Sequence, residues 1–298
     1  MTTTRVFLAP SFELALTVPA PILLTVEAEY GSAVLEGSVY TAAHHQPEGK
    51  YSGRHIVEGG RPAPCNDINI PQVQGTIVVS HFDLDTLGGV LRAQGVVDVF
   101  LGYEGFWELA EFVDVNGAHK LRQANANEVD LDRLYAFWAF AKTMPRYPRD
   151  QVVDVTADIR SAENALRVIL RGDERLLAAG QSFRQEEETL NEKTYNVTFY
   201  DTVICRTATS AKDFCNHLYT TPEGFLGKCV VCFNTESKTI TVSLADPVDG
   251  VSCREAVQAL WGPLAGGHNG IAGSPRGQEM TDEDAVKLIS LMSDLLNK

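Results

Sequence analysis

The chain has 298 residues, 44% hydrophobic and 21% charged, which is enough apolar material for one large domain or two ordinary ones. Its 25 Lys and Arg against 39 Asp and Glu leave a formal charge of −14, which disfavours non-specific binding to a long polyanion. The most apolar early stretch, Leu14 to Val26, follows Glu13 and is broken by Pro19 and Pro21, so neither a membrane span nor an export signal with a basic start is expected. Six cysteines do not make a disulfide scaffold in a chain of this size, and the reducing cytoplasm is the expected compartment.

In chain order, the first 74 residues read as β-rich, with runs at Ile22 to Ala28, Ser32 to Tyr40 and His55 to Val57, followed by Pro- and Gly-rich connecting chain from Gly59 to Pro71. Gly75 to Ser80 is a short apolar run of the kind buried on both faces of a parallel sheet, and Asp85 to Arg92 turns helical after it. Ala110 to Val115 reads as the apolar end of a second unit, with helical patterns over 130–143 and 158–191. The acidic stretch Gln181 to Asn191 suits the exposed end of a connecting helix, and the domain boundary is expected there.

After Tyr195 the pattern becomes a compact α/β module. Val197 to Cys205 and Gly227 to Phe233 read as strands, and Lys238 to Ala245 follows the polar turn Asn234 to Ser237 as the second arm of a hairpin. A helix is expected from Ser252 to Trp261, then a glycine-rich loop, then an amphipathic helix opened by a capping box of Thr281 and Asp284. Cys229 and Cys232 form a C-x-x-C that invites a zinc or redox reading. On a strand, however, residues three apart face opposite ways, which favours two separate core positions.

The sharpest chemical feature is Val79-Ser-His-Phe-Asp-Leu-Asp-Thr-Leu-Gly-Gly89. His81, Asp83 and Asp85 alternate, so an extended backbone would project all three to one side beyond a strand's carboxyl end, where open α/β sheets place ligands. Two carboxylates and an imidazole there would need a cation between them, and mixed N/O donors suit Mn²⁺, Fe²⁺, Co²⁺ or Zn²⁺. The alternative is that Asp83 and Asp85 simply cap the following helix. Far downstream, Ala265-Gly-Gly-His-Asn-Gly-Ile-Ala-Gly273 has the glycines to bring backbone N–H groups close to an anion and a histidine, His268, to donate to a phosphoryl oxygen.

These two segments together resemble the DHH phosphoesterase superfamily, whose first motif is a strand ending in H-x-D-x-D or D-x-D and whose C-terminal domain carries a G-G-H-x-x-A-x-G loop. The resemblance covers about 75–120 and 195–298. It implies a two-domain α/β protein: an N-terminal metal-binding domain with a parallel sheet (1–180, including the unusual segment 1–74), a linker helix end (181–194) and a smaller substrate-binding domain (195–298). The implied activity is metal-dependent hydrolysis of a small phosphoester, such as a nucleotide, dinucleotide or phosphorylated metabolite, in a cleft between the domains. His81, Asp83 and Asp85, with Asp114 bridging, would hold one or two divalent ions, Mn²⁺ foremost, with Zn²⁺, Fe²⁺, Co²⁺ and Mg²⁺ as alternatives. Gly266, Gly267, His268, Asn269 and Arg276 would meet the substrate, and His268, Asp114 and His119 would act in catalysis.

The family's Asp-His-His triplet is absent; its nearest equivalent is Phe112 to His119. The pair His44-His45, joined by His55, is one replacement, brought to the metal by the N-terminal segment; a solvated loop is the other reading. Asp154 and Asp158 are alternatives for a later metal-binding Asp, or helix caps. His217, Arg206 and Arg254 are further candidates in the C-terminal module. The altered motif keeps two other functions open: hydrolysis of a non-phosphate bond such as an acyl-tRNA-type ester, and a non-catalytic nucleotide-binding regulator. No membrane partner is expected, and a homodimer is compatible with this reading.

Overall fold

The computed structural model describes residues 4–19, 21–28, 35, 38–43, 62–148, 150–200, 202–275 and 277–298. The chain divides into two compact α/β units, Met1–Phe183 and Arg184–Lys298. His44, His45, His55 and Arg276, all singled out in the sequence, lie outside the described residues.

The first unit contains β1 (Arg5–Leu8), α1 (Phe12–Ala15), β2 (Ile22–Val26), β3 (Tyr40–Ala42), β4 (Thr76–Val79), α2 (Leu84–Ala93), α3 (Glu104–Asn116), α4 (Glu128–Ala141), β5 (Val153–Asp154) and α5 (Thr156–Leu170); α6 (Glu174–Thr194) follows. Its sheet has the order β3-β2-β4-β1-β5, with β1 to β4 parallel and β5 antiparallel at the edge. The parallel strands are buried on both faces. Val6, Leu8, Ile77 and Val79 pack into the large core with the helices, whereas Phe7 and Val78 point into the smaller core beneath α1.

Gly88 and Gly89 have a packing role that their helical position conceals. A Cβ on Gly88 would lie 2.8 Å from Cys65 Cα and 2.8 Å from Trp107 Cζ3, and one on Gly89 would lie 2.7 Å from Pro64 Cβ. The pair lets the chain around Pro64 to Asp67 lie directly on α2. Arg92 fastens it there, donating to the Cys65 carbonyl at 2.5 Å while stacking over Phe100. Glu111 on α3 holds the same segment by accepting from the Ala63 amide at 3.0 Å and from Asn66 Nδ2 at 2.6 Å.

Two sequence expectations in this unit are corrected. Ala110 to Val115, read as the apolar end of a second strand, loop and helix unit, belongs to α3 with no strand before it in 94–103, because Phe106, Trp107, Leu109 and Ala110 recur at helical spacing on a buried face. The helical pattern over 158–191 is two helices, broken at Gly172, whose φ of 86° ends α5.

The second unit contains β6 (Tyr195–Tyr200), β7 (Val203–Ala208), β8 (Cys229–Asn234), β9 (Thr239–Leu244), α7 (Cys253–Trp261), β10 (Gly266–Gly267), β11 (Ile271–Gly273) and α8 (Asp282–Leu296). The sheet order is β10-β11-β9-β8-β7-β6, antiparallel except for the β7–β8 pair. The run read as one strand over 197–205 is therefore two, turning back between β6 and β7. The β8–β9 hairpin and the Ser252 cap are as expected, and Thr281 and Asp284 form a full capping box. The C-x-x-C also splits as its period requires: Cys229 lies in the core under α7 and α8, and Cys232 lies in the core on the opposite face.

Arg206, a candidate phosphate contact in the sequence, is instead a structural residue, 1% exposed. All five N–H groups are used: Nε donates to Leu218 O at 2.8 Å, Nη1 to Asn191 O and Thr194 Oγ1, and Nη2 to Asn191 Oδ1 and Thr220 O. Substituting Arg206→Lys leaves several of these acceptors unmet and should cost about 2–4 kcal/mol, read as a lower midpoint in chemical denaturation. Gly88→Ala should also destabilise. Overpacking of about 1–3 kcal/mol exceeds the roughly 1 kcal/mol that Ala gains over Gly in a helix, and the same measurement checks it.

Candidate active site

The site is built at the carboxyl ends of two adjacent parallel strands. Glu27 follows β2 directly, with a left-handed φ of 47° that non-glycine residues seldom adopt, and its side chain is buried. Ser80 and His81 follow β4. The Ser80 hydroxyl donates to the Glu27 carbonyl and lies 2.8 Å from His81 Nδ1, while His81 Nε2 lies 3.1 Å from Asp83 Oδ2. Asp83 is the N-cap of α2, its Oδ1 accepting from the Thr86 amide at 2.8 Å.

Asp85 sits one turn-step further, inside α2 and 2% exposed. Its Oδ1 accepts from the Cys65 amide at 2.8 Å. Its Oδ2 is buried with no hydrogen-bond partner among the described residues. Burial, then the charge of Glu27, and also that of Asp114 push the Asp85 carboxyl up to about 7, against the pull of the Cys65 hydrogen bonds. For His81, burial favours the neutral ring, but the hydrogen bond and charge of Asp83, with the charges of Glu27 and Asp114, outweigh it and hold the pKa above the usual imidazole value. Asp83 is held low: burial opposes ionisation, and the His81 hydrogen bond and charge together with the Thr86 contacts overcome it.

This differs from the alternating arrangement expected from the sequence. The backbone is extended only as far as Asp83; the helix starts at Leu84 and rotates Asp85 inward, away from His81 and Asp83. His81 and Asp83 meet each other, and both oxygens of Asp83 are already engaged. Among the described residues no three His, Cys, Asp or Glu side chains converge on one ion position. Asp114, half-buried on α3, bears electrostatically on Asp85, His81 and Cys65. His119 is half-buried on the 3-10 turn Ala118–Gln123 that follows α3. Asp154 is committed elsewhere, paired with Arg5 at 2.6 Å and bonded to Thr156.

Glu27 was not among the residues picked from the sequence. Its signal was a lone acid directly after a buried apolar strand, the position at which parallel sheets present ligands. The donor set meets a divalent cation in part: Asp85 offers a buried carboxylate oxygen without a partner among the described residues and the charges of Glu27 and Asp114 act on it, but no second and third ligand converge with it.

In the second unit the glycine segment forms a tight β-hairpin. His268 N donates to Ile271 O at 2.7 Å and Ile271 N to His268 O at 3.3 Å, around Asn269-Gly270. Gly267 therefore falls at a non-hydrogen-bonded pair with Ala272, which turns its N–H outward on the open edge of the sheet. Gly266, Gly267 and His268 are exposed. Asn269 is tied down instead: its Oδ1 accepts from Ser252 and its carbonyl from the Cys253 amide, fixing the hairpin to the start of α7. Arg254 is exposed beside it, and His217 is exposed, 3.4 Å from Glu187 and stacked on Phe214.

No family model matches the chain, and no curated protein matches it. Among solved structures it is similar to a pGpG-specific phosphodiesterase, PggH, from Vibrio cholerae, at 10% identity and a TM-score of 0.44, over 82% of this chain and 92% of that one. It is also similar to an exopolyphosphatase-related protein from Bacteroides fragilis, at 16% identity and a TM-score of 0.30, over 88% of this chain and 66% of that one. An uncharacterized protein from Helicobacter pylori aligns over 76% of each chain at 12% identity and a TM-score of 0.21.

The raised Asp85 pKa has a direct consequence for the metal-free protein. The folded state holds this proton more tightly than the unfolded chain, so the contribution to stability is complete below about pH 4, falls as pH rises toward about 7 and is flat above that. Asp85→Asn keeps the shape and the Cys65 contact but removes the charge. It should raise stability at pH 8 by up to about 4 kcal/mol and flatten the pH profile, as read by denaturation at pH 5 and pH 8 in chelator.

Proposed function

We propose that the chain is a divalent-metal-dependent phosphoester hydrolase acting on a small substrate, such as a nucleotide, a dinucleotide or a phosphorylated metabolite. The observation that carries this reading is the buried Oδ2 of Asp85, without a hydrogen-bond partner among the described residues, in the first turn of α2 beyond the carboxyl end of β4, with the charges of Glu27 and Asp114 acting on it. A carboxylate in that setting needs either a proton or a cation, and the negative charge acting on it suits a cation.

Asp85 would hold the ion through Oδ2, with Glu27 and Asp114 supplying negative charge around it. Bound there, a divalent cation supplies neutralisation of phosphoryl oxygens and a water of lowered pKa. Asp83 orients His81, and the two neighbouring acids favour the imidazolium, which offers positive charge to a phosphate. Direct coordination by His81 would require it to release its contact with Ser80 or Asp83. On the second unit, the outward Gly267 amide and the exposed His268 provide hydrogen-bond donors suited to an anion. The overall charge of −14 disfavours long nucleic acids as substrates.

The test uses the full chain stripped with chelator, then given Mn²⁺ or Mg²⁺, with a nitrophenyl phosphodiester, a short dinucleotide and a nitrophenyl carboxylic ester as substrates. Metal-dependent release from the phosphodiesters, cut by about 100-fold or more in Asp85→Asn and Glu27→Gln, is expected. The metal should also raise the Tm of the unmutated chain and not that of Asp85→Asn. Turnover indifferent to chelator, or cleavage of the carboxylic ester alone, would overturn the proposal.

A further inference from the structure

The cysteine that the C-x-x-C motif drew attention to has a partner, and it is not Cys229. Cys232 Sγ lies 2.8 Å from Cys215 Sγ, the two thiols meeting on the face of the second sheet opposite α7 and α8. Cys215 belongs to the chain after β7, where residues 211–219 form turns and coil with no strand or helix. In the β7–β8 register Cys232 is paired directly with Arg206, so the sulfur pair and the fully buried guanidinium share one face of two adjacent strands. The five groups that Arg206 contacts are all neutral, so no carboxylate among them cancels its charge.

We propose that Cys215 and Cys232 form a reversible disulfide on exposure to hydrogen peroxide. The thiolate of one attacks a peroxide oxygen and breaks the O–O bond, giving a sulfenic acid and hydroxide, which takes up a proton as water. The thiol of the other then attacks that sulfur, forms the S–S bond and expels a second water. Two thiols and one peroxide thus yield one disulfide and two waters.

The charge of Arg206 favours the thiolate at either sulfur, against burial and, at Cys215, against the charge of Asp213. Burial draws the Arg206 pKa down to about 10, which leaves it cationic at neutral pH. Cys215 is wholly buried and Cys232 5% exposed, so oxidation requires local opening of the irregular 211–219 chain that carries Cys215, and a small oxidant needs the least of it. The four other cysteines lack these features; Cys205, Cys229 and Cys253 are held well up by burial.

The experiment treats the reduced full chain with hydrogen peroxide and maps peptides without reduction. A Cys215–Cys232 cross-link that dithiothreitol reverses, a mass lower by two hydrogens and a higher Tm of the oxidised form are expected. Cys215→Ser and Cys232→Ser should each abolish the cross-link, with a dimedone adduct trapped on the remaining sulfur of the pair, and Cys229→Ser should leave the cross-link intact. No cross-link in the unmutated chain, a cross-link through Cys229 instead, or a cross-link that survives either single variant would overturn the proposal. None of these readouts depends on hydrolytic activity.

Discussion

One backbone amide ties the first unit to its candidate site. The Cys65 N–H reaches Asp85 only because the chain from Ala63 to Asp67 lies flat on α2, and that approach exists only because positions 88 and 89 carry no side chain. The same contact consumes one oxygen of Asp85 and leaves the other buried and unmet. Packing and chemistry are therefore not separable here: what seats the loop on the helix also creates the uncompensated carboxylate.

Asp85 in the first unit and Arg206 in the second are both buried charged groups, and the protein treats them in opposite ways. Arg206 has every donor met by a neutral acceptor and serves as a tie between the end of α6, β7 and the loop beyond it. Asp85 is half-satisfied, and its neighbours Glu27 and Asp114 have the same sign of charge. A fully satisfied buried ion is a structural device, whereas a half-satisfied one surrounded by like charge is the usual signature of a place that something else completes.

Much of the architecture was legible because it rests on local rules. The apolar run Thr76 to Val79, the β8–β9 hairpin, the Ser252 cap and the Thr281–Asp284 capping box follow from pattern and cap chemistry alone. The opposite facing of Cys229 and Cys232 followed from strand period. What was not legible depends on contacts distant in sequence. Asp85 faces Cys65 and not His81 because the helix begins one residue before it, a boundary that pattern reading places only to within a few residues. Glu27 lies beside Ser80 only through the β2–β4 pairing, and Arg206 reads as a surface cation until the carbonyls of Asn191, Leu218 and Thr220 are assembled around it. Val197 to Cys205 looked continuous because the reversal between β6 and β7 is carried by so few residues.

The strand order of the first sheet has a consequence for how the chain acquires its structure. β1 precedes β2 and β3 in the chain, yet its neighbours in the sheet are β4 and β5, so Arg5 pairs with Thr76 and Phe7 with Asp154. The centre of the sheet closes only when β4 enters between β1 and β2, after the intervening chain has been synthesised. Such high contact order makes assembly slow, and both edges of β1 stay open until β4 and β5 arrive, which exposes that strand to mispairing in the meantime.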